Sequence, residues 1–280
     1  MGMMMQSAAG VPVDGFTYGL VTPVAAYVMA CLGSALGLRC TARALSLQRS
    51  ERAGWLLLAS LAIGTGIFTM HFIAMMGFTA QGMEITYDLL TTYASLVVAV
   101  VVVGIGVFLV GYRGKTTGAL LAGGVITGLG VAAMHYLGMA GMRMSGSIAY
   151  DTGTVLLSIG IAVFAATAAL WFSMSVKLFG AAIAAALIMG VAVSGMHYTA
   201  MRAVTVHLHG TGGDDSAGTS AIGTLTPILI GPLLLLLFVG LFVSLDPMME
   251  RDGRRQWGSR PGEGSGEKLE WTPFERRQEH

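Results

Sequence analysis

The chain alternates long apolar runs with short polar breaks. Seven stretches contain no Asp, Glu, Lys or Arg: residues 16–38, 54–77, 89–112, 118–142, 152–174, 178–201 and 222–245. Each is about as long as an α-helix must be to cross roughly 30 Å of hydrocarbon at 1.5 Å per residue. Membrane-spanning strands do not fit, because the runs are continuous and lack the alternation by which a barrel separates lipid from lumen. The expected fold class is therefore all-α, a polytopic membrane protein with seven transmembrane helices. Composition agrees, since 54% hydrophobic and 11% charged residues over 280 positions are too apolar for an ordinary soluble domain.

Three of the runs end in versions of one hexapeptide: Met70-His71-Phe72-Ile73-Ala74-Met75, Met134-His135-Tyr136-Leu137-Gly138-Met139 and Met196-His197-Tyr198-Thr199-Ala200-Met201. His71 to His135 is 64 residues and His135 to His197 is 62, so the period covers two spans. A second series keeps the same step. Tyr87-Asp88 precedes the third span and Tyr150-Asp151 the fifth, with Thr91 and Ser95, then Thr154 and Ser158, at matching offsets. Asp14 with Thr17 is a weaker echo before the first span. Asp88 and Asp151 read as N-caps, carboxylates that accept from the free amides of a helix's first turn. The first six spans thus form three repeated helix pairs, each an inward helix followed by an outward one that carries the hexapeptide. The outward spans hold Gly64 and Gly66, then Gly123, Gly124, Gly128 and Gly130, then Gly190 and Gly195. Small residues let membrane helices approach closely, so spans two, four and six are expected to cluster inside and bring the three histidines to one level.

Orientation follows the Lys and Arg of short loops. Fourteen of the sixteen lie in the first, third and fifth connections and the tail, against Arg143 and Arg202 on the other side. That places the N-terminus outside and the C-terminus in the cytoplasm. The expected plan is an extracytoplasmic segment (1–15), a six-helix domain (16–204), an extracytoplasmic loop (205–221), a seventh helix (222–246) and a disordered cytoplasmic tail (247–280), whose seven basic and seven acidic residues are mixed with many glycines. Residues 1–15, expected to be mobile, carry no basic group, so the first span reads as an anchor rather than a cleavable signal peptide. Pro227 and Pro232 are expected to kink the seventh helix. Cys31 and Cys40, about 13 Å apart along a helix, cannot bond each other. His207 and His209 read as solvated loop residues, and Gly212-Gly213-Asp214-Asp215 sits in a loop too short for a catalytic domain. Met3, Met4 and Met5 are explained more simply by an ambiguous translation start than by a metal.

In each hexapeptide the His and the second Met are four residues apart, which stacks imidazole and thioether on one helix face. Imidazole binds copper, zinc, iron or nickel, whereas thioether sulfur favours Cu(I), so three such pairs on one site would prefer copper. No carboxylate accompanies them, which weakens a hydrolytic zinc centre. Against a shared site stands the reading in which each His bonds a neighbouring helix and each Met fills a packing gap. Intramembrane ionisable groups are functional candidates by default, and three in register favour the shared site. Phe72, Tyr136 and Tyr198 are expected in the aromatic belt at the outer interface, and Met76, Met142 and Met144 as packing or entrance ligands beside the cluster.

At these residues the chain resembles the MHYT domain family of bacterial membrane sensors, whose signature stands here as Met196-His197-Tyr198-Thr199. The likeness spans roughly 16–204, including the MHF form of the first copy, the Tyr-Asp pairs and Cys31 with the Arg-rich loop after it. It implies six helices in three pairs in the inner membrane, and a copper site suggested to sense oxygen, carbon monoxide or nitric oxide. Carried onto this sequence, the implied ligands are Met70, His71 and Met75; Met134, His135 and Met139; and Met196, His197 and Met201. Relatives often join the domain to cytoplasmic signalling enzymes, and no such domain is legible here. The expected protein is therefore a non-enzymatic copper-binding module in contact with lipid, not nucleic acid, signalling through a separate cytoplasmic partner. A copper channel or transporter is the alternative, and a membrane zinc hydrolase a weaker one.

Overall fold

The computed structural model describes residues 13–80, 84–175, 179–208 and 221–246. Its seven long helices are α1 (Val21–Ser46), α2 (Arg52–Met76), α3 (Leu89–Arg113), α4 (Thr117–Ala140), α5 (Thr152–Ser175), α6 (Phe179–Arg202) and α7 (Ala221–Ser244), and all are long and apolar enough to span a membrane. Six start and end within two residues of the charge-free runs. The first does not: α1 begins later and continues through Arg39, Cys40 and Arg43. A charge ends a hydrophobic run but not a helix, since Arg and Ala are good helix formers and an Arg stem can lie along apolar surface. Arg43 uses that freedom, its guanidinium standing 5.8 Å from the Trp55 ring centroid. Cys31 and Cys40 are not bonded to each other. A first compact unit ends at Ser244 and a second begins at Leu245. Residues 1–12, His209, the 212–215 run and the tail from 247 lie outside the described residues.

Among α1–α6, helices adjacent in sequence are adjacent in space, and α6 packs back against α1, which closes the six into a ring. The motif end of each helix pair is also closed by a short antiparallel ribbon, which the continuous apolar runs gave no reason to expect. β1 (Val13–Asp14) pairs with β2 (Thr79–Ala80), β3 (Thr86–Tyr87) with β4 (Met142–Arg143), and β5 (Gly146–Tyr150) with β6 (Val204–Leu208). Each ribbon ties the segment before an odd helix to the segment after the next even one, so the repeat closes on itself. The same link recurs beside it: the amides of Thr17, Asp88 and Asp151 donate to the carbonyls of Gly77, Gly141 and Ala203 at 3.2, 2.8 and 2.9 Å. Thr17 therefore holds the place of the two aspartates. Asp14 sits in β1 opposite Thr79, three residues before that place, so the echo expected there was out of register.

Asp88 and Asp151 do cap α3 and α5. Their carboxylates accept from the amides of Thr91 and Thr154 at 2.9 and 2.8 Å, and from the hydroxyls of the same residues at 2.5 and 2.6 Å. These hydrogen bonds, with the hydroxyl of Thr91 or Thr154 foremost, hold both carboxyls below the ordinary carboxylate range. The glycines of the outward helices do something other than bring α2, α4 and α6 together. A Cβ on Gly64 would stand 2.7 Å from Val100 Cα of α3, and one on Gly128 would run into Val163 Cα of α5. Gly64, Gly124, Gly128 and Gly190 seat their outward helices against the next inward one around the ring, while Gly66 and Gly130 meet the preceding one, α1 and α3.

α7 lies outside the ring along α2. Its buried positions Leu225, Ile228, Leu229, Pro232, Leu236, Val239 and Val243 form one stripe at helical spacing. Pro232 has no amide to offer the Ile228 carbonyl four residues back. Tyr93 supplies the missing donor, its hydroxyl reaching that carbonyl at 3.2 Å.

Two outcomes test this architecture. Gly128→Ala should destabilise the purified protein by about 1–3 kcal/mol through overpacking, whereas Gly160→Ala, with nothing within 4 Å of its added Cβ, should be neutral or slightly stabilising in thermal melts. The second concerns acid. Because the folded carboxyls titrate below their unfolded values, the caps contribute fully above the ordinary carboxylate range and are lost as pH falls through the lowered values. Asp88→Asn with Asp151→Asn caps without titrating, so its melting temperature should fall less than wild type over that window.

Candidate metal centre

His71, His135 and His197 each lie five residues before the end of α2, α4 and α6, so equal spacing puts them at equal depth. The ring of helices then turns them inward. Their imidazole centroids form a near-regular triangle of 4.8, 5.0 and 5.2 Å, with ring planes 77–79° apart like propeller blades. All three are buried, at 0–1% exposure. Nδ1 of His71 is 3.1 Å from Nδ1 of His197 and 3.2 Å from Nδ1 of His135.

A neutral imidazole carries one proton, so a single N–H on His71 Nδ1 can serve only one of its two neighbours. The Nε2 atoms of His71 and His135 are buried and have no partner among the described residues. A metal on the Nδ1 atoms would put each ring's proton on Nε2, so it is the Nδ1 contacts themselves that call for a ligand. Three nitrogens holding one metal at about 2.0–2.1 Å would stand roughly 3.3–3.6 Å apart, and the two shortest separations, 3.1 and 3.2 Å, fall only slightly inside that range. The group as a whole lies within 4.8 Å and could hold a metal ion.

One small residue makes the convergence fit. A Cβ on Gly138 would stand 2.7 Å from His71 Nε2 and 3.1 Å from the tip of Phe72. The second copy of the motif thus leaves space for the imidazole of the first, a role no single-copy reading of Gly138 could reveal. The motif aromatics also differ from expectation. Phe72, Tyr136 and Tyr198 stand edge-on to their own histidines at 4.6, 4.9 and 5.0 Å rather than forming an outer belt. One residue is about 100° of helix, which carries each ring from the axis to the next helix pair. There Phe72 meets Tyr87 at 5.9 Å, Tyr136 meets Tyr150 at 5.6 Å and Tyr198 meets Phe16 at 5.7 Å. The Tyr136 hydroxyl also shares a 2.8 Å hydrogen bond with Ser158. Phe16-Thr17 is therefore the counterpart of Tyr87-Asp88 and Tyr150-Asp151.

The methionines divide by position. Met75 and Met139 are buried, and Met201 partly so, in one apolar cluster at the motif end with Phe68, Phe72 and Met142. Helical side chains lean toward the N-terminus, so these three lean from above toward the histidine level. Met134 and Met196 belong to the main core, and Met70 packs with Ala26, Ala30 and Ala74 on the α1 side. Arg202 is exposed at the end of α6. His207 is partly buried in β6, with Nδ1 buried and without a partner among the described residues.

Two segments, 64–123 and 128–186, match the sequence profile of the MHYT family, described as a bacterial signalling protein N terminal repeat. The chain belongs to the MHYT family. The two matched segments contain the first two hexapeptides; the third, at 196–201, lies beyond them, yet its histidine closes the triangle. This MHYT chain is 35% identical over 240 residues to MucR of Pseudomonas aeruginosa, a bifunctional diguanylate cyclase/cyclic di-GMP phosphodiesterase, covering 84% of this chain and 35% of MucR. It is 32% identical over 207 residues to the cyclic di-GMP phosphodiesterase NbdA of the same organism, covering 70% of this chain and 26% of NbdA. To the signaling protein YkoW of Bacillus subtilis it is 32% identical over 184 residues, covering 60% of this chain and 23% of YkoW. The chain spans about a third or less of the length of these relatives. No solved structure matches it. It is thus a multi-pass membrane protein of a signalling family.

Gly138→Ala should push the His71 ring off the axis. In spectra of the metal-free protein with ¹⁵N-labelled histidine, the His71 resonances should move most and the ring contacts to His135 and His197 should weaken, while the helical circular dichroism stays unchanged.

Proposed function

We propose that this MHYT chain is the membrane-embedded input module of a signalling system, holding one copper ion between His71, His135 and His197. The observation that carries the proposal is the convergence of three buried imidazoles in which His71 Nδ1 faces two neighbouring nitrogens with one proton or one lone pair to offer them. Met75, Met139 and Met201 supply soft sulfur from the motif end, and a mixed imidazole and thioether set favours Cu(I). Met70, Met134 and Met196 then act as packing beside the histidines, since they are divided between two separate apolar clusters. Bound Cu(I) would supply a soft centre at which a neutral diatomic, oxygen, carbon monoxide or nitric oxide, can bind.

The chain's own part is to hold the nitrogens and pass on their displacement. Each histidine leans on its aromatic, and each aromatic leans on the residue before or within the next odd helix: Tyr87 for α3, Tyr150 and Ser158 for α5, Phe16 for α1. A ligand that prefers one arrangement of the three rings therefore biases three helices that run to the opposite, arginine-rich end. With the N-terminus outside, as the distribution of Lys and Arg favours, that end faces the cytoplasm. The output is then a separate cytoplasmic signalling protein, with cyclic di-GMP enzymes the first class to test because MucR and NbdA carry such activities in one chain.

Metal analysis of the purified protein decides the proposal. About one copper per chain is expected in wild type. His71→Ala, His135→Ala or His197→Ala should weaken retention by at least roughly a hundredfold, more than the tenfold to hundredfold typical of residues behind a ligand. Met75→Leu with Met139→Leu and Met201→Leu should lower Cu(I) retention but leave zinc retention unchanged. Stoichiometric zinc in place of copper would point to hydrolytic chemistry, and copper uptake into liposomes to a conduit; either result would sink the sensor reading.

A further inference from the structure

The interior beneath the triad is not filled. Two largely enclosed voids of about 40 and 30 Å³ share Ile63, Thr127, Ala166, Ala169 and Met189 as walls and so lie end to end as a gallery of two chambers. Its upper end is lined by Met196, the residue before His197, and its lower end by Leu170 and Ser173. From Ala162 to Ser173 along α5 it extends about 16 Å.

The cause is legible in the repeat. α3 and α5 occupy equivalent places 63 residues apart, as Asp88 and Asp151 show. Where α3 carries Val102 and Val103, α5 carries Ala165 and Ala166, and both of those alanines line the void. Four methyl groups present on one side of the bundle are absent from the other.

The gallery's polar atoms are already engaged along much of its length. Thr127 Oγ1 donates to the Val102 carbonyl at 3.4 Å, and Ser173 Oγ to the Leu170 carbonyl at 2.8 Å. Water needs two to four polar partners to settle in a cavity, and apolar cavities of this kind stay dry while taking up xenon or small hydrocarbons. Beyond Thr127 and Ser173 the walls offer only the Ser34 hydroxyl and the Met189 and Met196 thioethers, weak acceptors that cannot replace the hydration shell of a hard ion. A guest must therefore be small, neutral and apolar, and such molecules concentrate in lipid. The adjoining helices α5 and α6 are also the least enclosed of the six, at 28% and 33% buried.

We infer that this gallery is a binding site for a small apolar molecule of diatomic size, of the dioxygen class, held on the inner side of the histidine triad. The site itself is independent of copper; only the guest's onward step to the triad rests on the function proposed above.

Xenon is the probe, applied under pressure to the full chain in lipid nanodiscs without metal and followed by ¹²⁹Xe resonance. Wild type should show a saturable bound population. Ala165→Val with Ala166→Val, which restores the α3 pattern, should weaken it by roughly tenfold or more, because added methyls consume the volume that a guest needs. Ala166→Val alone gives an intermediate loss and covers the case in which the double variant fails to fold. Ala184→Val, at an exposed position of α6, should leave xenon binding unchanged. No saturable population in wild type, or equal binding in the filled and control variants, overturns the inference. Copper retention measured on the same preparations after loading with Cu(I) separates the two proposals: xenon binding without copper retention keeps the gallery and removes the copper centre, and copper retention without xenon binding does the reverse.

Discussion

Three imidazoles in the interior of a membrane bundle have few ways to satisfy their nitrogens. Lipid offers no hydrogen bonds, and the main-chain groups of a helix are already paired with one another. The rings of His71, His135 and His197 therefore either share protons among themselves or share a cation, and both require contact at about 3 Å. That contact tolerates little error in depth or rotation. Much of the remaining structure can be understood as the means of holding three helix ends to it.

Depth is set by the equal distance of each histidine from its helix terminus and by the ribbons that fasten those termini. Because β1–β2, β3–β4 and β5–β6 each join the two ends of a helix pair, an outward helix cannot slide without breaking its ribbon and the amide link beside it. Rotation is set elsewhere, by the close seats of Gly64 on α3 and Gly128 on α5. A larger residue at either place would tilt its helix away, and the imidazole it carries would leave the axis. The aspartate caps fix the starts of α3 and α5, and with them the Tyr87 and Tyr150 rings on which Phe72 and Tyr136 rest.

The spans, the repeat and the caps were legible because each rests on a local rule of charge, period or turn chemistry. The histidine triangle was legible for a different reason: three copies of one motif at one depth leave a ring little else to do with them. What escaped were the features that depend on neighbours distant in sequence. The ribbons are too short to show alternation. Phe16 stands where tyrosine stands elsewhere, so the Asp14 echo drew the eye to the wrong register. Gly138 looks like a conservative change from alanine until the His71 ring is seen above it. The aromatics looked like a membrane belt because a residue near a helix end is so often one, whereas here the neighbouring helix pair occupies the place that lipid would take.

The symmetry is broken in two ways, and both bear on which histidine can move. α7 covers α2, so α2 is 72% buried against 50% for α4 and 33% for α6. His71, on that enclosed helix, is also the ring whose Nδ1 lies within 3.2 Å of both others. Displacing α2 means unpacking α1, α3 and α7 together, while displacing α6 disturbs only its contacts with α1 and α5 along most of its length. Interiors resist deformation in proportion to how fully they are packed. On the function proposed above, a ligand at the triad would therefore move His197 and His135 around His71 at least cost. The alanine face of α5 lowers that cost further on the same side, because the gallery leaves room there into which α6 can shift. The path of least resistance then leads from His197 through Tyr198 to Phe16 at the head of α1, and from His135 through Tyr136 to Ser158 on α5. In that proposal the helix pair braced by α7 is the frame against which the other two would move.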